Sequence, residues 1–347
     1  MQSVLSPLTS VHQAELAAGH PTVTGLLVLS LTLCIAALAE QQTPMAAIFT
    51  LLAITGGVGV FHGILDIVLL VSPRPTQSTL ARSVADSTRY VFSSSVRSNV
   101  MRYGTTVAFA LVAFASHPPL ALVALLLMSI WHFGEVFTAR QQRPATPLWF
   151  RVGERIALGA ASVVLPLLFS RDSLHAIVDS ICAHDNAAAA LVWSAWKALF
   201  VAWAGVVSLW CVATALRLKI AKTPDAEAAL LTTSLRWVAM HTAYLCVVFA
   251  VVSPVMGFAL YFGLYHAPAH IRRVLSAYPQ GVTRRAKWLL GAIYALTLAI
   301  AASVFYWVGG SGTASSLSPA LLQTFVIVIA AVSLPHIVLI SQRKDEL

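Results

Sequence analysis

Stretches of roughly 20 mostly apolar residues recur along most of the chain, and that is the length a helix needs to cross a hydrocarbon core about 30 Å thick. Backbone N–H and C=O groups facing lipid must be satisfied within their own segment, so stretches of this kind are helices. A membrane barrel would instead require runs of about ten residues of alternating polarity separated by turns, and nothing here alternates over such lengths. Composition agrees: 58% of the 347 residues are hydrophobic and 10% charged, with a mean hydropathy of +0.80, where a soluble domain carries roughly 25% charged residues. The apolar segments fall at 22–39, 45–72, 100–116, 119–137, 148–170, 189–215, 230–252, 254–272, 286–308 and 318–341. The expectation is an all-α, polytopic integral membrane helix bundle of about ten transmembrane helices, with an N-terminal tail 1–21, a single membrane domain 22–341 and a C-terminal tail 342–347.

A net charge of +9 raises the question of nucleic acid, and the placement of the basic residues answers it. Arg74, Arg82, Arg89, Arg97 and Arg102 lie in one connection, Arg140, Arg143, Arg151 and Arg155 in another, both after even-numbered spans. Arg217, Lys219, Lys222 and Arg236 share the same side, as do Arg272, Arg273, Arg284, Arg285, Lys287, Arg343 and Lys344. All but Arg171 and Lys197 of the 22 Lys and Arg are thus on one face, and dropping or adding a span would scatter them. By the positive-inside rule both termini are cytoplasmic. The basic residues are topological, with contacts to anionic lipid, and no nucleic-acid partner is expected.

Two terminal signals carry less. Ala37-Leu38-Ala39 resembles a signal-peptidase site, but residues 1–21 hold no Lys or Arg for a basic leading region, so the first segment reads as a span. The final Lys-Asp-Glu-Leu matches a lumenal retrieval signal and, on this topology, faces the cytoplasm as a chance match. Cys34, Cys182, Cys211 and Cys246 are far apart and form no Cys-x-x-Cys pair, which suits small core residues. The opposite-side loop gathers His175, Asp179, Cys182, His184 and Asp185; the ordinary reading of such a loop is simply polar.

The histidines are more informative. An ionisable side chain at membrane depth costs several kcal/mol unless it is paired or bound. His62, His132, His241, His266, His270 and His336 all fall in spans, and the alternating span directions place all six in the cytoplasmic half. A common depth is what a metal site between bundle helices requires. His266-Ala-Pro-Ala-His270 puts two imidazoles on one helix face, able to share an ion. Alone such spacing is weak; with His62 and His132 at the same level it is not. Asp66 lies one turn beyond His62, and Glu135 follows His132; each is placed to hold a ligating imidazole by its other nitrogen, with an arginine partner or a solvated rim position as the plainer alternatives. His241 and His336 read first as hydrogen-bonded core histidines, with a place among the ligands or directly behind them as the alternative. Gly63 and Gly134 beside the histidines permit close helix approach.

All-imidazole coordination suits zinc, copper or iron, and a site leaving positions open suits ferrous iron activating dioxygen. Phe61, Trp131, Phe133, Tyr261, Phe262 and Tyr265 crowd the same level, either as packing and interfacial belt or as the lining of an apolar slot for a lipidic substrate.

Four ordered motifs then carry a resemblance: Phe61-His62-Gly63-Ile64-Leu65-Asp66, Trp131-His132-Phe133-Gly134-Glu135, Tyr261-Phe262-Gly263-Leu264-Tyr265-His266 through His270, and Leu334-Pro335-His336. Together they resemble the Brp/Blh family of membrane β-carotene 15,15'-dioxygenases over about residues 45–340. The resemblance implies Fe(2+) held by His62, His132, His266 and His270, and oxygen-dependent cleavage of the central double bond of β-carotene into two molecules of all-trans-retinal. It also implies a bacterial or archaeal inner membrane and a functional link to a retinal-binding rhodopsin. The chain departs from the family where Val136 and Phe137 stand in place of a further acidic residue, and Pro268 falls between the paired histidines. Competing functions are a transporter or proton relay using buried His, Asp and Glu, a di-iron membrane lipid hydroxylase, which would need more histidine boxes than this single pair, and a haem-binding electron carrier.

Overall fold

The computed structural model describes residues 23–42, 94–138, 147–169, 171–182, 185–220 and 226–276, the stretch 333–339, and single positions at 54, 63, 288, 291, 292, 294, 295, 299, 327, 330 and 331. In chain order the elements are α1 (Val23–Gln42), α2 (Ser94–Ser116), α3 (Pro118–Thr138), α4 (Leu148–Val164), α5 (Pro166–Phe169), α6 (Arg171–Ile181), α7 (Asn186–Ile220), α8 (Ala226–Val251), α9 (Pro254–Leu260), a π-helical segment (Tyr261–His266) and α10 (Ala267–Ser276). Among the described residues every element is helical. Four stretches are long and apolar enough to cross a membrane: Pro118–Glu135, Leu148–Phe169, Asn186–Ile220 and Leu231–Val251. They coincide with four of the expected spans. The spans expected at 45–72, 286–308 and 318–341 lie largely outside the described residues.

Three details depart from the expected segments, each for a local reason. The helix over 148–170 is interrupted at Leu165, because Pro166 has no N–H to continue the ladder; Leu168 N–H instead donates to the Leu165 carbonyl at 2.9 Å. The expected loop after it folds as α6, whose Leu174, Val178, Ile181 and neighbouring Cys182 are buried. That spacing is one apolar helix face. The segment expected as one helix over 254–272 is divided into α9, a π turn and α10.

At the centre of the described bundle α4 packs on α3, α7 and α8. Its sequence explains the position, since Ala157, Gly159, Ala160, Ala161 and Ser162 present little bulk and are all buried. Small residues let helices approach where lipid supplies no hydrophobic drive. The approach to α3 is the tightest. A Cβ on Gly134 would run into the Arg155 backbone oxygen, and one on Gly159 into the Ile130 backbone oxygen, with Gly134 N at 2.5 Å. From the other side α7 sends Trp193, Trp196, Trp203 and Trp210 into the interior. Trp196 Nε1–H donates to the Val163 carbonyl at 2.8 Å and Trp203 Nε1–H to the Ala157 carbonyl at 3.0 Å, so each indole buries its ring and satisfies its polar edge. Outward faces carry Met101, Phe109, Leu127, Val201, Leu209, Val212 and Val247, a surface suited to acyl chains rather than water.

Glycine at the α3–α4 crossing should therefore be irreplaceable. Gly134→Ala and Gly159→Ala each force helix backbones apart, a strain at or above the roughly 1–3 kcal/mol of ordinary overpacking, and should lower the melting temperature of the detergent-purified protein. Gly104→Ala and Gly205→Ala, whose added carbon meets nothing within 4 Å, should not. Equal shifts for both pairs would contradict the close crossing.

Candidate metal centre

Four imidazoles from separate parts of the chain meet beside the α3–α4 crossing. His132 comes from α3, His266 from the end of the π segment, His270 from α10 and His336 from the helical stretch 333–339. The His132 ring centre lies 5.1 Å from that of His266, 6.2 Å from His270 and 4.9 Å from His336. His270 is 6.5 Å from His266 and 5.0 Å from His336. All four side chains are buried, from 0% exposed for His266 and His270 to 3% for His132 and His336.

The backbone around His266 owes its form to Pro268. Without an N–H, Pro268 cannot bond back along the helix, and its ring crowds the carbonyl four residues earlier, that of Leu264. The chain relieves this with a wider turn: the Ala267 N–H reaches the Phe262 carbonyl, five residues back. A π turn holds one residue more than an α turn, so it rotates α10 relative to α9 by about one residue step, roughly 100°. Phe258, Phe262, His266 and His270 still stack in succession, at 5.7, 5.7 and 6.5 Å. Gly263 allows the segment containing Ile54 to press onto the π turn, where an added Cβ would lie 2.6 Å from Ile54 Cγ2 and 2.9 Å from its backbone oxygen. Phe133 fills the space between elements, edge-on to His266 at 4.7 Å and to Tyr261 at 5.4 Å.

One turn beyond His132, the Glu135 carboxylate pairs with Arg155 of α4, Nη2 to Oε2 at 2.7 Å, with both side chains buried. Arg155 Nε–H donates to the Trp131 carbonyl at 3.1 Å, and the guanidinium sits 3.7 Å above the Trp131 ring, a cation–π contact. Trp131 is itself 43% exposed on the outer surface. Arg155, which the sequence presents as one more basic residue of the inner rim, is thus buried inside the helix crossing. The visible signal was the small-residue run immediately after it.

His241 stands apart from the four rings. Its Nε2 lies 3.2 Å from the Leu158 carbonyl, which can only accept, so Nε2 carries the proton and Nδ1 accepts from the Tyr265 hydroxyl at 3.2 Å. The Tyr265 ring also stacks on it at 5.2 Å. Of the aromatic residues at this level, Phe133 and Tyr261 are buried in the packing and Phe262 and Tyr265 half-buried. Phe61, His62 and Asp66 lie outside the described residues.

Among the described residues between Arg171 and Asn186, polar side chains have structural roles. The Asp185 carboxylate accepts from Ala187 and Ala188 N–H at 2.9 and 3.1 Å, capping α7. His175 packs on Trp193 with ring centres 4.1 Å apart. Burial, together with the neighbouring Asp179 and Asp185 carboxylates, pushes the Cys182 thiol above its usual range, away from the thiolate a metal needs. His184 lies outside the described residues.

Donor atoms and ring centres in the four-imidazole cluster give different answers on its fitness for a metal. Among the described residues no group of three or more His, Cys, Asp or Glu side chains holds its donor atoms close enough to grip an ion as it stands. The ring centres are nevertheless spaced for one. With a nitrogen about 2.1 Å from an ion, a ring centre lies about 3.3 Å from it, and two rings on one ion have centres from about 4.6 Å apart at a right angle to about 6.6 Å when opposed. All five measured separations fall within that interval, so the change needed is rotation of imidazoles rather than movement of helices. Ring spacing reports how near the histidine-bearing helices stand, whereas the direction of the donor nitrogens changes with side-chain torsion. The all-nitrogen donor set fits iron, copper or zinc.

Against known proteins, a family model described as "Beta-carotene 15,15'-dioxygenase" matches residues 79–342, about three quarters of the chain. His132, His266, His270 and His336 lie within the match, and His62 precedes it. No curated protein and no solved structure matches the chain.

The ion pair gives a stability test. Arg155→Met leaves the Glu135 carboxylate buried without its cation, a change worth about 3–5 kcal/mol, and should sharply lower the melting temperature in detergent. Adding Glu135→Gln to that variant should restore much of the loss. If the double variant melts no higher than Arg155→Met alone, the pair is not what couples the two helices.

Proposed function

The chain belongs to the beta-carotene 15,15'-dioxygenase family, and from that membership we propose that it is an iron-dependent membrane enzyme cleaving β-carotene at its central 15,15' double bond. In the reaction one C=C bond breaks, each of its carbons gains one oxygen atom from dioxygen, and two molecules of all-trans-retinal result with no external reductant. The four clustered, buried imidazoles carry this reading. His132, His266 and His270 would hold the iron, with His62 joining them by the family resemblance. Bound ferrous iron supplies the one-electron chemistry through which dioxygen can react with a closed-shell polyene.

The residues of the chain provide position and seclusion. Phe133, Phe262 and Tyr261 give the cluster apolar walls, which suit a hydrocarbon chain and keep out water that would divert a reactive oxygen species. Tyr265 would extend that lining, and the family resemblance would add Phe61. Tyr265, bonded to His241, has its hydroxyl committed away from the cluster. Glu135, neutralised by Arg155, sets the orientation of the α3 turn that bears His132. Asp66 would orient His62 in a corresponding way. β-Carotene, dissolved in the membrane lipid, enters laterally from the bilayer.

Topology and location in this reading rest on the chain's charge pattern. About ten spans, both termini in the cytoplasm and a bacterial or archaeal inner-membrane location place the iron in the cytoplasmic half of the bilayer. Retinal released there is available to a rhodopsin as chromophore.

Expression in cells that accumulate β-carotene tests the activity directly. Orange colour should fade and chromatography of extracted pigment should show retinal, while His132→Ala, His266→Ala and His270→Ala reduce retinal to background at unchanged protein level. Persistence of β-carotene in aerated, iron-replete cells containing the folded wild-type protein would refute the proposed reaction, and a fully active His266→Ala variant would refute the site.

A further inference from the structure

We infer that His336 is itself a ligand of the metal held by His132, His266 and His270, an inference that rests on the iron site proposed above. The last motif of the chain favours a core histidine and leaves open whether His336 touches the metal. In the fold its neighbours are other imidazoles: the His336 ring is edge-on to His132 at 4.9 Å and 89° and to His270 at 5.0 Å and 73°. Both separations are those of two rings that meet one ion at an angle somewhat above 90°. The backbone fixes the position, because the stretch 333–339 is helical and Pro335, His336 and Leu339 are buried.

The contrast with His241 is informative. That residue is equally buried, yet its surroundings are a backbone carbonyl and a tyrosine hydroxyl, the partners of a histidine that serves packing. His336 and His241 are both histidines of inner span ends, and of the two it is His336 that has two metal-competent imidazoles at metal-sharing distance. Its ring also bridges His132 and His270, whose centres are 6.2 Å apart. Coordination by His336 ties the C-terminal stretch to α3 and α10 through the metal, which makes completion of the site depend on the last helix of the chain.

A cysteine in place of a ligand reports coordination through a thiolate-to-cobalt charge-transfer band that no outer residue can produce. Full-length wild-type protein, His336→Cys, His132→Cys and His241→Cys are purified in detergent, stripped of metal, loaded anaerobically with Co(II) and read by absorption. The expected result is about one cobalt per wild-type chain, a charge-transfer band in His336→Cys and His132→Cys, and none in His241→Cys. A band in His132→Cys with none in His336→Cys overturns the inference and leaves the proposed function standing. Wild-type protein that takes up neither Co(II) nor Fe(II) overturns the metal site as a whole. Should His336→Cys fail to elute as a monodisperse protein or to hold cobalt, X-ray absorption of Fe(II)-loaded wild type and His336→Gln decides: loss of one imidazole's outer-shell scattering supports the assignment, and an unchanged imidazole count overturns it.

Discussion

The close approach of α3 to α4 through Gly134 and Gly159 is the contact on which the rest of the site depends. In lipid, helices gain nothing from hiding apolar surface from one another, because acyl chains are as apolar as leucine; association rests on close packing and on bonds between helices. Here both act at one place. The glycines bring the backbones together, and the proximity directs Arg155 across the crossing to Glu135, to the Trp131 carbonyl and onto the Trp131 ring. His132 and Phe133 sit on the same turn of α3, between these contacts. Their position relative to the other histidine-bearing segments is therefore a consequence of how α4 grips α3, and α4 is in turn held by the indole–carbonyl bonds from α7.

A second constraint acts on the opposite wall of the cluster. Pro268 would ordinarily be costly inside a helix, by about 3 kcal/mol. Placed two residues after His266, it converts the preceding turn into a π segment and rotates His270 with it. The result is a helix whose aromatic face, Phe258 and Phe262, runs directly into its histidine face, while Tyr261 and Tyr265 turn toward His241 and α8. Gly263 lets Ile54 fit closely against this widened turn.

How much of this the sequence reveals depends on the kind of signal involved. Helical class follows from segment length and hydrophobicity alone, because lipid permits so few alternatives. The grouping of His132, His266 and His270 is legible because topology converts position along the chain into depth, and depth narrows the set of possible neighbours. Angle about each helix axis is not legible in this way. That is why His336 reads as a core histidine by sequence and stands among three imidazoles in the fold, and why Arg155 reads as a rim charge and is buried in a crossing. Both depend on which face of one helix meets which face of another. The π turn lies between these cases: Pro268 announces an irregularity, but not that the helix would widen rather than kink or stop. The amphipathic α6 was legible in principle, from Leu174, Val178, Ile181 and Cys182, and was obscured by the polar residues interleaved with them.

The distribution of charge around the four imidazoles has a chemical consequence. Among the described residues the carboxylate nearest in sequence to the histidines is Glu135, and Arg155 engages it. Of two plausible donors on one turn of α3, only the neutral imidazole of His132 is therefore left to the cluster. An ion bound by neutral nitrogens keeps its full charge instead of sharing it with carboxylates, and in a low-dielectric setting that charge strongly favours reduced, divalent iron over the trivalent form. The buried Glu135–Arg155 pair thus serves more than the helix crossing. In the proposed iron site, removing a carboxylate from the donor set would bias the metal toward the divalent state, next to aromatic side chains that would accommodate an uncharged hydrocarbon at least cost.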